Sequence, residues 1–154
     1  MEFSHKEDIE APLERVFEEI SDFDQIERSV MRRGIEVSRS DAQEAVGEGM
    51  SWRARFTFRG KARDADIRLV RYEPPTLMVF ESKSGGLETR SVVECVALSR
   101  SRTRISVDVA LTPKTLSARL IVQSMKLAKG KIDRKFRARM ADAASELERR
   151  TKSA

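Results

Sequence analysis

Glu94 and Arg71 are the charged residues whose positions could do chemistry. Strand alternation places Glu94 on the same face as Val92 and Val96, and Arg71 on the same face as Leu69. A carboxylate buried without a partner is costly, so Glu94 there must find a cation or take up a proton. Arg71 lies two strands away through Met78, within reach of a long side chain. Three readings are open. The pair could anchor the hydroxyl, carbonyl or carboxylate of a ligand in an apolar pocket. Glu94 could be a general acid/base for cyclisation or dehydration, its pKa raised by burial. Alternatively the two form a structural ion pair, or a slipped register leaves Glu94 in water.

Trp52, Phe56, Phe58 and Phe80 fall on the same inner face. Such groups are ordinarily core. Their mixture with Met78, Met125 and Met140 also suits a wall that adapts to guests of varied shape. Trp52, Phe56, Met78, Phe80, Met125, Ile132 and Phe136 are therefore expected to enclose an apolar ligand body, with Arg71 and Glu94 at its polar end. His5 belongs to a strand edge or a pocket rim. Cys95 alternates to the face opposite Glu94 and reads as outward packing, with nothing to activate its thiolate. One cysteine and one histidine exclude an internal disulfide and a Cys/His zinc site. A Ser-His-Asp triad would have to use His5, and no nucleophile turn is visible. No catalytic residue, metal or cofactor is expected.

The elements that position these residues follow from periodicity. The 154 residues fit one domain, spanning 1–150, with a frayed tail at 151–154. Phe3, His5, Glu7 and Ile9 share a strand face. Pro12 starts a helix over residues 12–20, and Ser21-Asp22 can cap a second over 23–30. A short strand at 35–37 and a polar loop at 40–49 follow. Residues 50–59 alternate strictly. A Gly60-Lys61 turn would pair Arg55 with Asp66, Thr57 with Asp64, Phe56 with Ala65 and Ala54 with Ile67. Breaks at Glu73-Pro74-Pro75-Thr76 and Ser84-Gly85-Gly86 bound strands at 77–82 and 88–98, the latter with Arg90, Val92, Glu94, Val96 and Leu98 inward. Ile105, Val107, Val109 and Leu111 complete an antiparallel meander. From Pro113 and Thr115 a helix carries the stripe Ile121, Met125, Ala128, Ile132, Phe136, Met140, Ala143 and Leu147. Roughly 35 residues would make a rod of about 50 Å, too long for this chain, so a break is expected near Gly130.

The net charge of +5, with 36% charged residues of both signs, reads as solubility. No apolar run approaches the ~20 residues of a membrane span, and residues 1–7 lack signal-peptide character. A cytoplasmic protein is expected. The last helix carries Lys126, Lys129, Lys131, Arg134, Lys135, Arg137, Arg139, Arg149 and Arg150 among Asp133, Asp142, Glu146 and Glu148. That face is read as solvated, with transient contact to anionic lipid as the alternative. No exposed aromatic platform is identifiable, so no nucleic acid is expected.

The stretch Ile9-Glu10-Ala11-Pro12-Leu13-Glu14-Arg15-Val16-Phe17, then Ser21-Asp22-Phe23, resembles the opening signature of the START-like, Bet v 1-like helix-grip superfamily (SRPBCC). Within it the chain is most similar to the polyketide cyclase/dehydrase and lipid-transport group. The resemblance implies an α+β helix-grip fold: a seven-stranded antiparallel sheet wrapped around a long C-terminal helix, two short helices after strand 1, and a cavity for an apolar or amphipathic ligand. Fold does not fix function in such a group. The expected function is binding or carrying a hydrophobic small molecule, a lipid, quinone or polyketide. The alternatives are an aromatic polyketide cyclase/dehydratase-type enzyme and a protein- or membrane-interaction module using the basic helix.

Overall fold

The computed structural model describes residues 1–152. Its elements are β1 (Glu2–Ile9), α1 (Leu13–Ile20), α2 (Phe23–Arg32), β2 (Glu36–Arg39), β3 (Ser51–Phe58), β4 (Lys61–Glu73), β5 (Leu77–Ser84), β6 (Leu87–Ser99), β7 (Arg102–Pro113), α3 (Leu116–Leu127) and α4 (Lys129–Lys152). All seven strands form one antiparallel sheet in the order β1-β7-β6-β5-β4-β3-β2. β1 and β2 are therefore opposite edges, and α1 and α2 carry the chain between them. α4 packs on β1 and α1.

Local chemistry sets the helix starts. Pro12 precedes α1 in extended conformation, where its missing N–H leaves nothing unpaired. The Asp22 carboxylate accepts from the Gln25 N–H at 3.3 Å, and the Thr115 hydroxyl accepts from the Ala118 N–H at 3.2 Å. The terminal helix breaks at Ala128, two residues before Gly130, which divides it into α3 and α4. α4 runs on through Thr151 and Lys152, where a frayed tail was expected; residues 153–154 lie outside the described residues.

Three details of register decide which side chains face inward. The β3–β4 turn is Arg59-Gly60, both left-handed with φ of 55° and 72°, so Phe58 pairs with Lys61. This shifts the expected pairing by two residues. Arg55 now meets Asp64 and Arg53 meets Asp66, each pair at 3.3 Å. Trp52 opposes Ile67 and Ala54 opposes Ala65. A shift of two leaves every side chain on its expected face.

The β5–β6 turn has the opposite consequence. Gly85 and Gly86, with φ of 52° and 82°, are the whole turn, so Ser84 belongs to β5 and pairs with Leu87. The register moves by one residue, and one residue inverts the faces. Val93 and Cys95 point inward. Arg90, Val92, Glu94, Val96 and Leu98 point outward. The third detail is a bulge in β4: Leu69 pairs with Phe80, but Arg71 pairs with Val79 and Tyr72 with Met78. Tyr72 takes the inner position expected for Arg71, its ring 5.6 Å from that of Phe17.

The core gathers between α1, the C-terminal part of α4 and one end of the sheet. It includes Ile9, Val16, Phe17, Phe23, Met50, Trp52, Leu69, Met78, Cys95 and Leu147. Thr103 is its buried polar member, and its hydroxyl donates to the Ala11 carbonyl at 2.8 Å. The bond ties β7 to the turn before α1.

Candidate functional site

A cavity of about 980 Å³ lies between the inner sheet face, α2 and the C-terminal half of α4. Period-two alternation builds its floor from successive strands: Trp52, Ala54 and Phe56 from β3, Ala65 and Ile67 from β4, Met78 and Phe80 from β5. Val93, Ile105 and Val107 continue it across β6 and β7. α2 contributes Ile26, Glu27 and Val30, while α4 contributes Met140, Ala143, Ala144 and Leu147. The α4 positions are spaced by one helical face.

Aromatic contacts stiffen one end. The Phe23 ring lies 5.1 Å from Trp52 and 6.1 Å from Phe80, and Trp52 lies 6.2 Å from Phe80. The Trp52 indole N–H donates to Glu27 Oε1 at 2.8 Å, which fixes the ring in the wall and ties α2 to β3. The Arg39 guanidinium stands 5.9 Å from the Trp52 ring centroid. Arg39 is itself held by Asp41, through Nε to Oδ2 at 2.8 Å and Nη2 to Oδ1 at 2.5 Å. That hydrogen bond, and then one from the Ser51 backbone N–H, hold the Asp41 carboxyl well below the usual carboxylate range.

The polar feature of the floor is on β1. His5 and Glu7 are two residues apart on the inward face, opposite Val107 and Ile105. His5 Nε2 and Glu7 Oε1 are 2.7 Å apart, with side chains 20% and 28% exposed. The Phe136 ring meets His5 edge-on at 6.4 Å. A neutral imidazole that donates Nε2–H to Glu7 keeps Nδ1 as an acceptor, and an imidazolium has a second donor there. Among the described residues, these are the ionisable side chains that the sheet presents to the cavity. Around the rim the helices add Glu19, Arg32, Arg33, Asp142, Glu146, Arg149 and Arg150.

Trp52, Phe56, Met78 and Phe80 thus line the cavity. Arg71 and Glu94 do not. The bulge turns Arg71 outward, where it pairs with Glu73 on its own strand, and the one-residue register change leaves Glu94 exposed between Leu77 and Ser106. Met125 and Ile132 are half-buried away from the cavity, because the break at Ala128 ends the continuous helical stripe. Phe136 packs instead on Phe3 at 6.1 Å. Cys95 is inward and buried, not outward. Burial first, and the nearby Glu94 charge second, push its thiol up to about 12, so it stays protonated and inert. The His5–Glu7 pair and Glu27 are additions to the expected set. The signal for the pair was present in the alternation of β1, which puts a histidine and a glutamate side by side on one face. No group of His, Cys, Asp or Glu among the described residues is arranged to hold a metal ion.

The model for the polyketide cyclase / dehydrase and lipid transport family matches residues 1–148. No curated protein matches the chain. Solved structures share the fold at low identity. The Zhui aromatase/cyclase from Streptomyces sp. R1128 is 12% identical, with a TM-score of 0.69 over 97% of this chain and 94% of that one. Ara h 8.0201 is 14% identical, with a TM-score of 0.64 over 100% of this chain and 99% of that one. A START superfamily protein from Mycobacterium smegmatis is 12% identical, with a TM-score of 0.58 over 87% and 95%. Element order, sheet topology and the full-length match agree: the chain belongs to the polyketide cyclase/dehydrase and lipid transport family, with a START-like, Bet v 1-like helix-grip fold.

Proposed function

We propose that this chain binds a hydrophobic small molecule in the cavity and acts as its carrier. The observation that carries the reading is the cavity itself. At about 980 Å³ it is at the upper end of the roughly 300–1,000 Å³ typical of small-molecule sites. Its floor is apolar except at one edge. Trp52, Phe56, Met78 and Phe80 contact the guest's apolar body. His5 and Glu7 take the place first given to Arg71 and Glu94, orienting a hydroxyl or carbonyl on the guest. A lipid, quinone or polyketide has that combination of a long apolar frame and a few oxygens.

The His5–Glu7 contact also favours a second reading. A histidine hydrogen-bonded to a carboxylate, beside an apolar guest, is a pair suited to moving protons in a cyclisation or dehydration. One experiment separates the two. The purified chain is analysed by native mass spectrometry, then incubated with an aromatic polyketide surrogate and the products identified. Guest retained and recovered unchanged supports the carrier. Turnover that Glu7→Gln abolishes, with binding preserved, supports the enzyme. A chain that retains no apolar mass and binds no surrogate overturns both.

A further inference from the structure

α3 has two apolar stripes, and the fold uses one. Ala118 and Val122 are buried, and Ile121 and Met125 are half-buried on the same side. At ~100° per residue, Leu116, Leu120 and Leu127 fall within roughly 40° of one another on the other side. These leucines are 74%, 58% and 92% exposed. Single exposed leucines are ordinary, but three in register along a 12-residue helix make a ridge that nothing among the described residues covers.

Charge identifies the cover. From Lys114 to Ile132 the sequence holds Lys114, Arg119, Lys126, Lys129 and Lys131 and no Asp or Glu, whereas acids and bases alternate through most of the chain. Lys114 pairs with Glu88 at 3.7 Å. Arg119, Lys126, Lys129 and Lys131 make no ion pair among the described residues. Arg119 and Lys126 flank the ridge on one side. On the other, Arg59 Nη2 donates to Ser124 Oγ at 2.6 Å, which brings a further cation to its border. A second copy of this chain would set like charges against each other. An anionic bilayer would satisfy both the leucines and the cations. Among the described residues no helix is long and apolar enough to cross a membrane, so α3 would lie in the interface.

We propose that α3 docks this protein on anionic membranes, with Leu116, Leu120 and Leu127 in the acyl boundary and the surrounding cations on phosphate headgroups. The surface is separate from the cavity, so it stands or falls apart from the guest. The test is co-sedimentation of the full chain with phosphatidylcholine vesicles, with and without phosphatidylglycerol, at low and high salt. The expected result is binding that needs phosphatidylglycerol and falls as salt rises. Lys126→Gln and Arg119→Gln should each weaken it roughly fivefold, the equivalent of about 1 kcal/mol. Leu116→Ser, Leu120→Ser and Leu127→Ser together should weaken it at least tenfold. Thermal melts of these variants should match the parent, because the residues are exposed. Failure of the parent to bind either vesicle overturns the proposal. So does binding that the leucine changes leave intact, or a leucine-dependent dimer in sedimentation velocity that binds no vesicle.

Discussion

Phe80→Ala and Leu69→Ala separate cavity wall from core. The two residues face each other across β5 and β4 on the inner side of the sheet. Leu69 has 0% exposure, whereas Phe80 borders the cavity. Truncating a buried leucine costs about 2–5 kcal/mol, since transfer and residual-void terms add. Truncating an enclosed phenylalanine costs about 3–5 kcal/mol, but Phe80 already borders empty space, so about 2 kcal/mol is expected. For an apolar guest the order reverses. A guest that covers about 50 Å² of the Phe80 ring gains roughly 1.2 kcal/mol from it, so its loss weakens Kd about eightfold. Trp52 provides the assay. It is the single tryptophan, and its ring is 6.2 Å from that of Phe80. Energy transfer from Trp52 to anilinonaphthalene sulfonate reports probe bound in the cavity, and urea melts followed at Trp52 report stability. Leu69→Ala should lower the urea midpoint sharply and leave the probe affinity of folded molecules unchanged. Phe80→Ala should lower the midpoint less and weaken the probe. Equal probe affinity in the parent and Phe80→Ala would refute the cavity as the binding site.

Two further outcomes follow from groups outside the cavity. Asp41 has a folded pKa below its ordinary 3.8, so its contribution to stability is complete above that value and is lost as pH falls through the folded value. Asp41→Asn should therefore lower the urea midpoint at neutral pH and flatten its decline below pH 3.8, as followed by urea melts at decreasing pH. Thr103→Val leaves the Ala11 carbonyl without its hydroxyl donor in a fully buried place. A loss of about 1–3 kcal/mol is expected by chemical denaturation, with Thr103→Ser recovering part of it.

The legible parts of this molecule were those that depend on periodicity alone. The alternation from Met50 to Phe58 placed Trp52 and Phe56 on the cavity side, and it survived a hairpin turn misplaced by one residue, which moves the pairing by two. Pro12 and Asp22 marked the helix starts, and the length of the last helix demanded a break that occurs at Ala128. What was not legible depends on single-residue offsets. Whether Ser84 belongs to the turn or to β5 decides the direction of Glu94, and both choices fit the same Gly-Gly pair. The bulge that exchanges Arg71 for Tyr72 shows in the sequence of β4 only as a change of parity, Ile67 and Leu69 giving way to Val70 and Tyr72, and the pairing with β5 is what locates it. The apolar stripe on the last helix gave one face. It could not say that the half after the break covers the cavity while Phe136 turns to Phe3.

The sheet order also constrains how the molecule is made. β1 has a single neighbour, β7, with Phe3 opposite Val109 and Ile9 opposite Thr103. A chain emerging from the ribosome exposes its first hydrogen-bonding edge long before the complementary edge exists. Closing such a distant pairing is entropically slow, and an unpaired apolar edge is prone to association with other nascent chains. The run of charges Lys6, Glu7 and Asp8 in β1 interrupts that edge while it waits. Pairing of β1 is thus a late event that waits until β7 has left the exit tunnel, and the core closes only when α4, which supplies Leu147, has followed it.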